Sequence, residues 1–324
     1  MPAYSITLGN RVFAGAAGES VLETLLRAKV EVAHGCRQGV CQSCMMRSLD
    51  GPPPVEAQTG LKDVLRQNGH FLSCMCYPQT NMQVSLGNGT DVYQRATVLD
   101  KQNLNTEILL LTLGYETPFE YRAGQFVKLR RQDGLTRSYS IANQRDHSNS
   151  VNFHIRRLAG GRFSEWLHRE VAIGDSMDIS AAQGSCYYLP GNTAQNLLLI
   201  GTGSGLAPLY GILREALQQG HRGRIRLYHG SSEISGLYWI DEMRRLAREH
   251  ANLSYTPCVS RGDVKPGFAK GRANDVAMAE LPNLNAWRVY LCGHPDMVMH
   301  SKRQAYLQGA GLQDIYSDAF HLSS

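Results

Sequence analysis

His34-Gly35-Cys36-Arg37-Gln38-Gly39-Val40-Cys41-Gln42-Ser43-Cys44 decides how the first third of the chain is read. Three cysteines stand at C-x4-C-x2-C spacing, and Cys74 follows far downstream. This spacing with one distant partner is the pattern by which four thiolates hold a [2Fe–2S] cluster. Two sulfide-bridged irons each take two soft anionic ligands, so four cysteines are needed. A loop around such a cluster turns sharply, and Gly35 and Gly39 can take positive φ. Its backbone N–H groups can then face the sulfurs. The competing readings are buried apolar thiols, a disulfide pair or a zinc site. Zinc usually takes two C-x2-C hooks, and Cys41 with Cys44 makes only one. Spacing alone leaves Cys76 as a rival to Cys74 for the fourth ligand.

The stretch resembles the ferredoxin domain of plant-type ferredoxins and of ferredoxin-fused reductases. In that family the fourth cysteine follows a Leu-Ala/Ser pair, matched here by Leu72-Ser73-Cys74. The resemblance therefore implies Cys36, Cys41, Cys44 and Cys74 as metal ligands. Gln42 stands where the family usually has a glycine, a departure that touches loop hydrogen bonding but removes no ligand. The flanking pattern agrees. Tyr4 to Leu8 alternates as a strand, Gly9-Asn10 turns, and Arg11 to Phe13 returns. Glu19 to Ala28 reads as a helix with Val21, Leu22, Leu25 and Leu26 on one face. Met45 to Leu49 and Asn81 to Leu86 read as further strands. The resemblance implies a β-grasp fold for these elements, with Gly87 to Thr90 as the linker.

At 324 residues and 43% hydrophobic content, the chain suits two or three packed domains. The formal charge of +5 comes with no basic run, which argues against nucleic acid. Up to Asp91 there are seven Lys/Arg against seven acids, so the whole surplus lies later, where anionic cofactors would need it. Eight cysteines without a signal peptide suggest a reducing compartment. No apolar run reaches the ~18 residues of a membrane span. A monomeric cytoplasmic protein is expected.

From Tyr93 the pattern is all strand: Ala96–Leu99, Glu107–Leu113, Gly124–Leu129, Arg137–Ala142, Val151–Arg156 and Ser176–Ile179. Regular strands with turns between them predict a closed antiparallel barrel. Two stretches carry chemistry. In Arg137-Ser138-Tyr139-Ser140, the arginine offers a forked cation to a pyrophosphate and the tyrosine a flat apolar face. Gly160-Gly161-Arg162-Phe163-Ser164 opens the helical stretch Glu165 to Arg169, a natural anion site. The first matches the R-x-Y-S motif of the ferredoxin–NADP reductase superfamily. That resemblance implies FAD, with Ser140 near the flavin N5 and Gly161 to Ser164 at the second phosphate. It also puts His154, Ile155 and Arg156 on the strand beside the flavin.

The last third alternates strand and helix, which predicts a doubly wound parallel sheet. Asn196–Ile200, Arg224–Tyr228, Leu253–Val259 and Trp287–Cys292 read as strands. Helices are expected at Leu209–Gln218, Gly236–His250 and Asp296–Leu307, with Trp239, Met243, Leu246 and Ala247 as the apolar stripe of the second. Gly201-Thr202-Gly203-Ser204-Gly205 is not the G-x-G-x-x-G fingerprint, since Leu206 takes the place of its third glycine. His229-Gly230 stands where a ribose-binding acid would close the second strand. The run through Pro208 instead resembles the superfamily's G-T/G-G-x-G-x-A-P signature, and Cys292-Gly293-His294-Pro295-Asp296-Met297 its C-G-x-P-x-M segment. These resemblances imply a nicotinamide dinucleotide held by Gly201, Thr202, Gly203, Gly205, Pro208, Cys292, Gly293 and Met297. They put Cys292 near the nicotinamide C4, not as a covalent catalyst, and Phe320 of Asp318-Ala319-Phe320 over the flavin. Cys186 and Cys258 carry no motif and read as core. Glu233 favours NADH over NADPH by repelling a 2′-phosphate, although the hydroxyls of Ser231 and Ser232 leave NADPH open.

The chain is thus expected to be multidomain, α+β and α/β: a β-grasp ferredoxin domain at 1–90, an antiparallel β-barrel flavin domain at 91–191, and a parallel-sheet nicotinamide domain at 192–324. The layout resembles the reductase components of bacterial ring-hydroxylating dioxygenases and multicomponent monooxygenases. It implies electron transfer from NAD(P)H through FAD and a [2Fe–2S] cluster to an oxygenase component or an intermediary ferredoxin. The alternatives are the same electron chain serving a sugar-deoxygenating dehydratase, or a redox sensor or carrier without turnover.

Overall fold

A computed structural model describes residues 4–32, 34, 37–39, 44–61, 63–86, 93–117, 120–145 and 148–320. The chain forms two compact units, one ending at Val92 and the other beginning at Tyr93. The expected linker at Gly87 to Thr90 lies outside the described residues.

The first unit is a mixed five-stranded sheet. Its strands are β1 (Tyr4–Leu8), β2 (Arg11–Gly15), β3 (Met45–Ser48), β4 (His70–Leu72) and β5 (Met82–Leu86), in the order β2-β1-β5-β3-β4. β1 and β5 run parallel while the other pairs are antiparallel. Helix α1 (Val21–Arg27) lies across it, burying Val21, Leu22 and Leu25 in one core with Ile6, Met46 and Phe71. Ser20 starts the helix by a reciprocal cap: its Oγ accepts from Glu23 N–H at 3.2 Å, and Glu23 Oε2 accepts from Ser20 N–H at 2.8 Å. Just outside, Arg27 grips Glu19 at 2.8 and 2.9 Å and holds that carboxyl down at about 2. Glu19 therefore belongs to the cap rather than the helix. Short α2 (Asp63–Gln67) and β4 lack a periodic sequence signal and were not expected.

The second unit opens with an antiparallel sheet of β6 (Tyr93–Asn103), β7 (Ile108–Tyr115), β8 (Phe126–Arg130), β9 (Thr136–Ser140), β10 (Ser150–Arg156) and β11 (Ser176–Ser180), ordered β10-β7-β6-β11-β8-β9. The ends meet where Ile141 bridges Phe153 and Ala142 N–H donates to Asn152 O at 2.8 Å, which closes the barrel. Its interior is filled by Leu109, Leu111, Val127, Leu129, Ile141, Phe153 and Ile179. Helix α3 (Ser164–Arg169) plugs one end, and Lys101 Nζ donates to the carbonyls of His168 and Val171 at its C-terminus.

A six-stranded all-parallel sheet follows: β12 (Asn196–Thr202), β13 (Ile225–Ser231), β14 (Leu253–Val259), β15 (Ala269–Lys270), β16 (Trp287–Gly293) and β17 (Ile315–Ala319), ordered β15-β14-β13-β12-β16-β17. Leu197 to Ile200 are wholly buried, as strands covered on both faces must be. Helices α4 (Leu206–Gln218), α5 (Ile240–Glu249), α6 (Ala273–Glu280) and α7 (Pro295–Leu307) cover the sheet. The winding reverses between β12 and β16, which opens a crevice at their carboxyl ends. α4 also seats on the barrel: a Cβ at Gly211 would stand 2.9 Å from Ala123 Cβ and 3.1 Å from Ala142 O.

In the second unit, two helices begin more than one residue from where they are expected. α4 begins at Leu206, three residues early, because Pro208 is tolerated in a first turn whose N–H groups need no partner. The helix expected over Gly236–His250 is instead one turn at Ile234–Gly236 and then α5. Trp239 takes φ +54°, which no right-handed helix accepts, so it caps α5 instead of lining its stripe. Among the described residues no helix is long and apolar enough to cross a membrane.

A Cβ on Gly205 would lie 2.2 Å from Cys292 O although its own φ of −60° suits alanine. Gly205→Ala is expected to cost ~1–3 kcal/mol by overpacking, read as a fall of roughly 2–10 °C in the melting of the second unit. An unchanged Tm would show that β12 and β16 are not held at this separation.

Candidate functional site

The β3–β4 ladder brings one downstream cysteine beside the loop. Met45 pairs with Leu72, so the residue before β3 meets the turn after β4. Ser73 secures this junction, its N–H and Oγ both donating to Cys44 O at 3.1 and 2.8 Å. Cys44 and Cys74 are buried with their Sγ atoms 3.3 Å apart, beyond the ~2.05 Å of a disulfide. Two adjacent thiols in an apolar pocket are a donor set suited to one iron. Cys76 Sγ instead packs on Met82 Sδ at 3.8 Å, and burial pushes its thiol up to about 12. Cys36 and Cys41 lie outside the described residues. Gly39 takes φ +76°, as a sharp loop requires.

On the barrel, β9 carries Arg137, Ser138, Tyr139 and Ser140. Ser138 is exposed, Arg137 and Tyr139 are half-buried and Ser140 is buried. Arg137 Nη1 donates to Thr136 O at 2.9 Å. Tyr139 lies 5.9 Å from the Phe163 ring, and burial raises its phenol well above the ordinary value. A flat ring, two hydroxyls and a guanidinium on one strand fit a flavin with its phosphates. At α3, Gly161 N–H is taken by Leu158 O, and Ser164 Oγ accepts from Leu158 N–H at 3.1 Å. Arg162 is exposed beside them. On β10 the Ile155 side chain lies in the barrel core.

In the crevice, Gly201 and Gly205 admit only backbone. A Cβ on Gly201 would strike Leu209 at 2.7 Å, and Gly293 at φ +123° leaves 2.5 Å to Thr202 Oγ1. Thr202 Oγ1 accepts from His294 N–H at 3.1 Å. Gly203, at φ +54°, turns the chain into Pro208 and α4. Met297 packs at the edge of the sheet core, its sulfur 3.4 Å from Ser301 Oγ. This glycine cradle fits a pyrophosphate approaching backbone N–H groups.

Barrel and sheet meet at Ser140, whose Oγ donates to Asp318 Oδ2 at 2.7 Å. Asp318 pairs with Cys292 across β16 and β17. Burial raises the Asp318 carboxyl, against the lowering effect of the Ser140 hydrogen bond. Cys292 is fully buried with Sγ 3.7 Å from Cys186 Sγ, and burial, Cys186 and Asp318 all raise its thiol. These surroundings favour the thiol over the thiolate that a nucleophile needs. Phe320 N–H donates to Gly293 O at 2.8 Å, tying the chain's last described residue to the same crevice. Sequence reasoning quoted Asp318 only as part of the terminal aromatic segment and read Cys186 as plain core. Both join the junction through contacts more than a hundred residues apart in sequence.

A second seam lies behind it. His154 Nδ1 is 2.9 Å from Tyr238 Oη, and its ring packs edge-on to Trp239 at 4.4 Å. His229 Nε2 stands 3.1 Å from Gly203 O. Burial holds His154 down at about 3 and His229 at about 4. Arg156 pairs with Glu107 at 3.0 Å, and its Nη1 lies 3.8 Å from where a Cβ of Gly203 would stand. Beyond β13, Arg261 N–H donates to Ser232 O at 2.9 Å, which brings the backbone of a basic residue beside the one before exposed Glu233.

Family comparisons agree with this layout. Residues 6–79 match the 2Fe-2S iron-sulfur cluster binding domain, 95–188 the oxidoreductase FAD-binding domain and 199–303 the oxidoreductase NAD-binding domain. The reductase subunit of an aromatic O-demethylase from Amycolatopsis is 30% identical, covering 91% of this chain and 92% of that one. The chain belongs to the ferredoxin-fused NAD(P)H reductases. The ferredoxin–NAD(P)(+) reductase component of a naphthalene 1,2-dioxygenase system from Pseudomonas putida is 29% identical over 96% of both chains. A solved cytochrome P450 reductase from Amycolatopsis superposes with TM-score 0.69 at 28% identity, covering 98% of each. As a member of this family, the reductase uses a [2Fe–2S] cluster, FAD and a nicotinamide dinucleotide.

Cys74→Ala is expected to abolish the visible cluster absorbance of the reductase and Cys76→Ala to keep it. The opposite pattern would reassign the ligand.

A histidine held neutral binds fewer protons folded than unfolded, so its stabilising effect is complete above 6.5 and drains away as pH falls toward about 4. Trp166, Trp239 and Trp287 all lie in the second unit. The urea midpoint read by tryptophan fluorescence should therefore fall between pH 6.5 and 4, and less steeply in His154→Phe. Equal slopes in both proteins would remove His154 from the account.

Proposed function

We propose that this reductase is the electron-delivering component of an oxygenase system. It would pass electrons from NADH to an oxygenase or an intermediary ferredoxin, with residues 1–90, 91–191 and 192–324 carrying cluster, flavin and dinucleotide in turn. The named relatives, reductase partners of a naphthalene dioxygenase and an aromatic O-demethylase, support the acceptor class. Exposed Glu233 supports NADH, against the neighbouring Arg261.

The observation that carries the reading is the Ser140–Asp318 hydrogen bond beside Cys292, which joins the flavin strand to the nicotinamide crevice. Bound FAD and [2Fe–2S] cluster supply the conversion of a two-electron hydride donor into single-electron delivery. The chain's own residues bind and orient. Arg137 with Ser138 and the turn Gly161–Ser164 would hold the flavin phosphates, while Tyr139, backed by Phe163, would flank its ring. Gly201, Thr202, Gly203, Gly205 and Pro208 would cradle the dinucleotide, with Gly293 at the facing strand end and Met297 in the first turn of α7. Its closeness to Gly203 supports giving Arg156 to the dinucleotide rather than the flavin. His154 and Ile155 would serve through packing.

Two electrons passed on singly from a hydride donor would leave one proton behind, and Asp318 is the carboxyl placed to receive it. Burial raises its proton affinity, and Ser140 on the strand that would hold the flavin donates to it at 2.7 Å. Cys292 stays neutral and excludes water. Phe320 would cover the ring until the nicotinamide arrives. Cys36, Cys41, Cys44 and Cys74 would hold the cluster.

Steady oxidation of NADH with ferricyanide as acceptor tests the reading. The unaltered protein should turn over and prefer NADH to NADPH in kcat/KM, and Asp318→Asn should lower kcat about 10²-fold with full flavin content. Absence of turnover would reject the reductase reading, preference for NADPH the donor, and a variant within threefold of the unaltered kcat the proton role.

A further inference from the structure

His229 occupies the middle of a parallel sheet, where β strands ordinarily bury aliphatic side chains. It has no exposed surface and pairs across the ladder with Gly201 of β12 and Pro257 of β14. Its ring meets Tyr238 edge-on at 5.4 Å, which fixes its orientation. Its Nε2 reaches the carbonyl of Gly203, 3.1 Å away on the turn after β12. A carbonyl only accepts, so Nε2 carries the ring proton and Nδ1 is left bare. Nδ1 is indeed buried without a hydrogen-bond partner, so this imidazole makes one polar contact and no other. Such a group costs more to bury than leucine unless that single contact matters.

The carbonyl of Gly203 has a second donor, Leu206 N–H, which closes the tight turn into α4. Both of its lone pairs are therefore spoken for. In a planar trans peptide the carbonyl and the next N–H point in opposite directions. Drawing Gly203 O toward β13 thus aims Ser204 N–H away from the sheet. At φ +54°, Gly203 has rotational freedom that other residues lack, and without an anchor this peptide plane could turn over. A Cβ at Gly203 would meet nothing nearer than the Arg156 guanidinium at 3.8 Å, which marks the loop's open, cationic side.

We propose that His229 is a positioning residue for the dinucleotide: its Nε2–H sets the Gly203–Ser204 peptide plane, so that Ser204 N–H faces the pyrophosphate of the nicotinamide donor. The inference rests on the dinucleotide reading of this crevice and adds the residue that orders it. His229 touches neither substrate nor flavin and acts only through the turn.

ADP-ribose is the probe, because it carries the pyrophosphate but no nicotinamide and undergoes no redox chemistry. Its Kd is measured on the flavin- and cluster-loaded protein beside the KM and kcat for NADH. His229→Met fills the space without a donor, and His229→Gln restores an N–H at similar reach. The Met variant should bind ADP-ribose about tenfold more weakly. Its KM for NADH should rise by a like factor, with kcat within about twofold and flavin content unchanged. The Gln variant should stay within about threefold of the unaltered protein in every constant. ADP-ribose binding by the Met variant equal to that of the unaltered protein would overturn the proposal. So would a Gln variant as weak as the Met variant, since the ring would then only fill volume. If the Met variant does not fold, the Gln comparison with the unaltered protein still decides, because a tenfold loss there overturns the role. Failure of the unaltered protein to bind ADP-ribose would instead sink the dinucleotide reading itself.

Discussion

The second unit depends on a contact in which no side chain takes part. At the reversal of the parallel sheet, Gly205 lies so close to the Cys292 carbonyl that a single methyl group would collide with it. The end of β12 and the end of β16 therefore touch backbone to backbone. The other fastenings follow from that approach. Thr202 can reach the N–H of His294, and Gly293 can accept from Phe320. The last strand is thereby drawn alongside β16, and Asp318 comes within reach of the barrel. Polar groups that could not meet through local sequence are brought together by the absence of two Cβ atoms.

Burial shifts the groups gathered there toward their neutral forms. Cys292 and Tyr139 are pushed up, His154 and His229 are pushed down, and Asp318 is raised toward its acid form. A buried charge without a close partner would cost several kcal/mol, whereas neutral hydrogen bonds cost little to bury once satisfied. The junction thus gathers polar atoms in surroundings that disfavour charge. The exposed ion pairs of the surface, such as Arg245 with Glu242 and Glu249, do a different job on the solvent side of α5.

Much of this was legible in the chain. Cysteine spacing, the R-S-Y-S tetrad and the glycine run each depend on neighbours within a few residues, and local patterns survive folding. The strands of the barrel and of the parallel sheet alternate or run apolar for the same reason. What stayed hidden depends on distant partners. Nothing near Cys186 announces Cys292, and His154 reads as one more residue on a strand until Tyr238 and Trp239 are folded against it. Trp239 fits a helical stripe by spacing, yet it takes a positive φ just after buried Leu237 and Tyr238. α6, β15 and β17 are short or weakly amphipathic, so periodicity could not find them. The β3–β4 register, which brings the turn after β4 beside Cys44, favours Cys74 over Cys76 and is not visible in the cysteine spacing.

The seam between barrel and parallel sheet has one further consequence. Ser140 with Asp318, His154 with Tyr238, and Asn105 with the carbonyls of Ser235 and Leu237 are dipolar contacts, not pairs of opposite charges. Dissolved ions weaken attraction between exposed charges but act little on buried dipoles. Ionic strength should therefore act more on whatever docks through surface charges than on these dipolar fastenings between the two halves that must exchange a hydride.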